Sequence, residues 1–207
     1  MTGPAAPPRA AKDGGDPPRR NRALGILRLV VVWAVAGGLA WFGHPVREEW
    51  IAGLVLTALG ESLRIWAAGY LVKTKRLITG GPYAHVRNPL YLGRLLILTG
   101  VAIGAGTTIG ALPRYSNFAV LAAGYAIFFF YYLPRKERVE PKRLEEIHGA
   151  PFRAYFDAVP AIFPRLRPYA DRHGAWSWAN FGKNEEILMV ISLTVFFAVL
   201  ACRNPIF

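Results

Sequence analysis

The stretch whose reading decides the fold is Leu77–Arg94, LITGGPYAHVRNPLYLGR. Its first half is polar and broken by glycine and proline, and its second half opens straight into an apolar helix. Gly80, Gly81 and Pro82 specify a turn, because glycine reaches positive φ freely while proline locks φ and donates no backbone hydrogen bond. Pro89 starts a helix, since a first-turn proline gives up only a donor that would be unpaired anyway. Tyr83, Arg87, Asn88 and Tyr91 are thereby crowded around one helix mouth. A loop that merely joins two membrane helices rarely needs this much specified backbone.

Outward from this stretch, apolar segments close to the ~20 residues that cross a hydrocarbon core recur along the 207-residue chain, separated by basic loops. They are Leu24–Phe42, Trp50–Leu71, Leu90–Gly110, Phe118–Leu133 and Ile187–Cys202. The expected fold is an all-α membrane protein of about five transmembrane helices with a cofactor pocket on the cytosolic side. Residues 1–22 are rich in Pro, Ala, Gly and Arg and read as a disordered tail. Residues 23–207 read as a single membrane-embedded domain with a motif-bearing core at 73–164. The first span is longer than the roughly 7–15 residues of a signal-peptide core, so it reads as a span.

Within the second span, Glu61 and Arg64 share one helix face and should point into the bundle. They suit a structural ion pair or one polar wall of a substrate chamber. In the third span, Gly100 with Gly104 and Gly106 with Gly110 give small-xxx-small spacings that mark a central helix, or equally a dimer contact. The fourth span has 16 residues, too few at about 1.5 Å each to cross a core about 30 Å thick. It should extend backwards through Tyr115–Asn117, or forwards past Pro134 as a kinked helix. The amphipathic, charge-dense segment Arg135–His148 follows, with a stop at Gly149 and a new short helix from Pro151. Trp176, Trp178 and Phe181 resemble an interfacial aromatic belt.

The net charge of +12 sits between the apolar spans, where it acts on topology and on anionic lipid rather than on nucleic acid. With the N-terminus inside, the inner segments carry five, four and ten Lys and Arg, and the outer ones only Arg47, Arg114 and Arg203. A multi-pass protein with a cytoplasmic N-terminus satisfies that bias. Leu77–Asn88 and Arg135–Pro168 then face the same compartment and can build one site. Cys202 is alone, so no intrachain disulfide forms, and the four histidines lack metal-ligand spacing.

No nucleophile–base pair, metal cluster or phosphate-cradling loop is visible. What remains is a pocket at the membrane surface, suited to a polar cofactor from the cytosol and a lipid-like substrate from the bilayer. The run Gly81-Pro82-Tyr83, then Val86–Gly93, then Glu140 with Leu144, Gly149, Tyr155 and Val159-Pro160 resembles the isoprenylcysteine carboxyl methyltransferases. Phospholipid N-methyltransferases and membrane thiol methyltransferases are similar in the same stretches.

The resemblance implies S-adenosyl-L-methionine as cofactor. By position it implies contacts from the Lys75–Ile78 stretch, Lys75, Leu77 and Ile78 among them, from Asn88, Pro89, Leu90 and Tyr91, and from Glu140; Tyr83 and Arg87, beside these, are further candidates for cofactor contact. Two residues depart from the pattern: Asn88 stands where a histidine is usual, and Pro141 where a second acid often follows. Asparagine keeps hydrogen-bonding capacity but cannot accept a proton near neutral pH. Because the sulfonium methyl is already activated, the protein need only align the acceptor and strip away water. Glu140 is placed to hold the ammonium or ribose hydroxyls, and Tyr83 or Tyr91 to offer a ring face to the sulfonium. Lys136 and Arg138 are the catalytic candidates, as cations that fix an anionic acceptor. Each has a plainer role: Glu140 as part of a solvated face, the tyrosines as interfacial anchors, Arg87 and Arg94 as lipid-phosphate contacts.

The implied partners are the bilayer and a lipophilic or lipid-modified substrate: an isoprenylcysteine-type carboxylate, a phospholipid amine or a thiol. Two other readings stand beside this one. An NADPH-dependent reductase of sterol-reductase type would need more phosphate contacts than the chain supplies. A non-catalytic lipid-binding protein would follow if Asn88 and Pro141 abolish activity.

Overall fold

The structure is a computed structural model, and it describes residues 22–72, 76–182 and 186–204. The tail expected at residues 1–22 lies outside the described residues except for Arg22. The chain divides into two compact units, residues 1–35 and 36–207. Helix α1, Arg22–Phe42, runs across that division. Within the larger unit follow α2 (Arg47–Tyr70), a 3-10 turn at Gly81–Ala84 and α3 (Pro89–Gly104). Then come α4 (Ser116–His148), α5 (Ala150–Ala158), the short α6 (Trp178–Gly182) and α7 (Glu186–Arg203). Among the described residues the only strand-like pairing is an isolated bridge between Gly43 and Ile109.

α2, α4 and α7 are long and apolar enough to cross a membrane, while α3 with 16 residues is shorter. The apolar half of α4 is barely covered by the rest of the chain, with Phe130 84% exposed. A helix that is apolar all round yet uncovered has lipid as its surroundings.

α2 and α3 pack backbone to backbone. A Cβ added to Gly53 would lie 2.4 Å from the Gly104 Cα, and one on Gly60 would lie 2.7 Å from the Gly93 carbonyl oxygen. Small residues are thus required on both helices, as in membrane-helix pairs held by close van der Waals contact. Gly104 also receives the Phe197 ring of α7, and Trp50 donates its indole N–H to the Phe197 carbonyl at 3.1 Å. α3 is central, as its glycines suggest.

α3 does not reach Gly110. It ends at Gly104, because Gly106 turns to φ +86°, where its backbone lies against His44 and Pro45. The following loop pairs instead with the α1–α2 turn, His44 donating to Thr108 at 3.0 Å and Gly110 to Phe42 at 2.8 Å. Asn117 donates to the Ala102 and Gly106 carbonyls, both at 2.7 Å, and so satisfies acceptors left open at the α3 terminus. Gly106 and Gly110 therefore serve a turn, not a helix face.

α4 extends in both directions, starting at Ser116 and continuing past Pro134 to His148. The missing N–H of Pro134 is accommodated by a π-helical segment at Phe128–Tyr132, just before it. Gly149, at φ +61°, ends α4 as expected.

Arg64 is buried and its guanidinium donates to both carboxylate oxygens of Glu186 at the start of α7, Nε to Oε2 at 3.1 Å and Nη2 to Oε1 at 2.9 Å and to Oε2 at 2.7 Å. Glu61 stands off at 3.6 Å from the Arg64 Nε. The structural half of the ion-pair expectation holds, but the principal partner comes from α7. A buried pair of this kind stabilises little on balance, whereas removing one member costs several kcal/mol, so it ties α2 to α7.

Candidate functional site

The site begins where the loop of residues 79–87, with the Gly81–Ala84 turn inside it, runs antiparallel to residues 160–173. Thr79 and Gly80 donate to the His173 carbonyl, Tyr169 to Ala84, Arg165 to His85 and Arg87 to Pro160, at 2.8–3.1 Å. The Thr79 hydroxyl donates to the Asp171 carbonyl at 2.7 Å and accepts from the His173 N–H at 2.8 Å. Val159-Pro160 and Phe163-Pro164 explain why the second segment is extended, because a residue before proline avoids the helical region. Gly81, at φ +59°, brings the loop against the Tyr70 ring, where a Cβ would lie 2.5 Å from the ring.

α5 closes this loop from one side. Phe152, Tyr155 and Val159 form a buried cluster with Leu77, Leu144, Phe156 and Tyr169 around it. The Tyr155 hydroxyl donates to the Tyr83 carbonyl at 2.8 Å, while the Tyr83 hydroxyl is buried with no hydrogen-bond partner among the described residues. Burial pushes both phenols well above their ordinary range, so both stay neutral at any physiological pH.

The charged half of α4 lies across the loop, with Lys136, Glu137, Glu140, Pro141 and Leu144 on the face that lines a small cleft of about 70 Å³. Opposite them stand Arg87, Asn88, Phe152, Tyr155 and Phe156. The Arg87 guanidinium donates to Glu137 at 2.6 Å and to the Phe156 carbonyl at 2.8 Å, and its carbon lies 3.6 Å from the centre of the Phe156 ring. Burial lowers the Arg87 pKa and the Glu137 carboxylate opposes that shift, which leaves a paired, charged guanidinium. The Asn88 amide donates to the other Glu137 oxygen at 3.1 Å and to the Ala161 carbonyl at 3.0 Å. That fixes the amide's orientation and turns its oxygen towards Lys136, whose ammonium donates to it. The same ammonium lies 3.0 Å from Glu140 and 4.7 Å from the centre of the Tyr91 ring. Tyr91 is held in turn by Tyr132, hydroxyl to hydroxyl at 2.8 Å.

Among the sequence-predicted residues, the structure gathers Arg87, Asn88, Lys136 and Glu140 around one cleft, and Tyr91 joins them through its ring contact with the Lys136 ammonium. Leu77 packs against the Phe152–Tyr155–Val159 cluster, Tyr83 is buried with its carbonyl accepting from Tyr155, and Ile78 rests against Gly174. Pro89 is buried at the head of α3, and the Leu90 carbonyl accepts from Arg64 at 3.4 Å instead of facing the cleft. Lys75 falls outside the described residues. Arg138 is turned away: it lines a separate, open groove of about 260 Å³ with Phe130, Tyr131, Pro134, Arg135 and Val139. Two positions from Lys136 on a helix is about 200° of rotation, so both cannot face one cleft. Pro141 lines the cleft and withholds a helical donor from the Glu137 carbonyl. Glu137, in the sequence only one charge of the Arg135–His148 segment, anchors both Arg87 and Asn88. Its spacing to Glu140, three residues along one helix face, was the available signal.

Chemically, the arrangement offers a cage for one positive charge, made of a carboxylate, an amide oxygen and an aromatic face, beside a half-buried Arg–Glu pair that holds the cage rigid. The cage sits where polar loops meet apolar helices.

Residues 33–149 match the family described as phospholipid methyltransferase. The cobalt-zinc-cadmium resistance protein CzcN of Cupriavidus metallidurans is 36% identical over 155 residues, covering 70% of this chain and 65% of the relative. The nickel-cobalt-cadmium resistance protein NccN of Alcaligenes xylosoxydans xylosoxydans is 30% identical over 152 residues, covering 69% of this chain and 65% of the relative. The chain thus spans a little under two thirds of the length of each of these relatives, and no solved structure gives a significant match. The matched region contains the Gly81–Ala84 turn, the Asn88–Tyr91 helix mouth and the whole charged half of α4, and on that basis the chain belongs to the phospholipid methyltransferase family.

Proposed function

We infer that the protein is a multi-pass membrane methyltransferase, N-terminus in the cytoplasm, that uses S-adenosyl-L-methionine to methylate a lipophilic or small acceptor. The acceptor class is an isoprenylcysteine-type carboxylate, a phospholipid amine or a thiol. The observation that carries this reading is the cation cage of Glu140, Asn88 and Tyr91 at the mouth of α3. It already holds a positive charge, that of Lys136, at 3.0 Å from Glu140 and 4.7 Å from the Tyr91 ring centre. The donor set therefore fits the cationic part of the cofactor.

When bound, the cofactor supplies a methyl group on a positively charged sulfur, which needs no further activation. Glu140 and the Asn88 oxygen balance the positive charge, and Tyr91 offers its ring face. Arg87 and Glu137 hold Asn88 in the orientation that presents its oxygen. Tyr83 and Tyr155 contribute neutral, apolar-walled packing behind the cage that keeps water away. Asn88 takes no proton, and a carboxylate or thiolate acceptor asks for none to be taken. The uncovered apolar face of α4 supports approach of the acceptor from the bilayer.

The test is a calorimetric titration of the detergent-purified protein with S-adenosylmethionine, with NADPH in parallel. Micromolar binding that weakens at least tenfold in Glu140→Gln and Tyr91→Ala is expected. NADPH binding alone would replace this reading with the reductase, and binding of neither would leave a non-catalytic lipid-binding protein.

A further inference from the structure

Lys136 occupies the place that a ligand cation would take. Its side chain is 20% exposed, and its ammonium is shared between Glu140 at 3.0 Å, the Asn88 oxygen and the Tyr91 ring at 4.7 Å. The charge count around it is closed: Glu137 is matched by Arg87, and Glu140 by Lys136. One carboxylate remains for one cation, so a second unit positive charge cannot enter while the ammonium stays. Lysine suits a displaceable occupant, being a compact charge on a flexible four-carbon stem rather than a fixed fork. Glu140, its partner, is 50% exposed, so the path from the cage to water is short.

Resting on the S-adenosylmethionine reading above, we propose that Lys136 is an internal counter-cation that leaves the cage when the sulfonium enters and returns when the sulfur has lost its charge. It thereby tempers the preference that the Glu140 carboxylate alone would give the charged cofactor over the neutral product. In the transfer, a lone pair of the acceptor forms the new bond to the methyl carbon as the sulfur–carbon bond breaks, and that bond's electron pair stays on sulfur. A carboxylate or thiolate acceptor loses its negative charge, an amine acceptor gains a positive one and releases a proton to water, and the sulfur becomes a neutral thioether. Glu140 is then without a counter-ion, and the returning ammonium restores the balance. While out of the cage, the ammonium is available to an anionic acceptor, the role the sequence suggested for it.

The test compares S-adenosylmethionine and S-adenosylhomocysteine affinities in the wild-type protein and in Lys136→Met, by calorimetry in detergent. The ratio of the two dissociation constants is expected to shift at least tenfold towards the charged cofactor in Lys136→Met, because its cage lacks a competing charge. A ratio unchanged within threefold overturns the proposal. Amine acylation of the unmodified protein, read by mass spectrometry, gives an independent readout. Labelling of Lys136 should speed up when S-adenosylmethionine is added and stay slow with S-adenosylhomocysteine, and equal protection by both overturns the exchange. If neither ligand binds wild type or variant, the cofactor reading itself fails. If both bind with parallel changes, only the exchange fails.

Discussion

Removing the Glu137 carboxylate should damage the site more than removing any of the exposed charges on α4. Glu137 accepts from the Arg87 guanidinium at 2.6 Å and from the Asn88 amide at 3.1 Å, with side chains 22% and 14% exposed for Glu137 and Arg87. Hydrogen bonds to charged groups are worth about 1.5–3 kcal/mol each, and breaking a fully buried pair costs about 3–5 kcal/mol. Partial exposure lets water reach the orphaned guanidinium, so Glu137→Ala should cost about 2–4 kcal/mol. Glu137→Gln keeps an acceptor for one donor and should cost roughly half as much. Glu146→Ala, on the exposed side of the same helix, should cost under about 0.5 kcal/mol. The assay is reversible unfolding in mixed detergent micelles, with Arg87→Met and the double variant completing a cycle. The Arg87–Glu137 coupling should exceed about 1 kcal/mol. Coupling below about 0.3 kcal/mol, or Glu137→Ala as mild as Glu146→Ala, would refute the view that this pair organises the cleft.

Further expectations concern packing and the buried phenols. Gly100→Ala places a Cβ 2.3 Å from the Thr57 hydroxyl and 2.7 Å from the Gly53 carbonyl and should cost more than about 2 kcal/mol, whereas Gly124→Ala meets nothing within 4 Å and should stabilise by up to about 1 kcal/mol. Thermal unfolding of the two variants in detergent checks this, and equal effects would contradict the packing. Tyr155→Phe loses its bond to the Tyr83 carbonyl and should cost about 1 kcal/mol, while Tyr83→Phe removes a hydroxyl with no partner among the described residues and should be neutral or stabilising. Both phenols have folded pKa values raised above the unfolded value of about 10, so their contribution to stability is fully present below pH ~10 and is lost as pH rises beyond it. Absorbance titration at 295 nm should show at least two tyrosines that ionise only with unfolding, and their absence from that late phase would contradict the burial. Asn88→His should leave folding intact and keep cofactor binding within about threefold, measured by the same calorimetry, since imidazole also offers a donor to Glu137.

Much of this was legible in the chain. The Gly80–Pro82 turn, the start of α3 at Pro89 and the stop at Gly149 follow from backbone chemistry that glycine and proline impose locally, and all three stand in the structure. The convergence of the Leu77–Asn88 loop with the segment after Arg135 was readable from charge bias alone. The end of α3 was not, because Gly106 can sit in a helix or in a positive-φ turn, and only its contact with Pro45 selects the turn. Glu186 was hidden for a similar reason. It looks like the polar edge of a span, and its pairing with Arg64 across 122 positions depends on how α2 and α7 pack. Arg138 shows the limit of proximity in sequence: two residues from Lys136, it faces another groove because helical rotation places it there.

The most direct test of the cleft is ultraviolet cross-linking of radiolabelled S-adenosylmethionine to the detergent-purified protein, with the labelled peptides sequenced. Label is expected in peptides containing Tyr83–Arg94 and Arg135–Leu144, competed by S-adenosylhomocysteine and lost in Glu140→Gln. Label confined to other segments, or unaffected by the Glu140 substitution, would contradict the assignment of this cleft as the cofactor site.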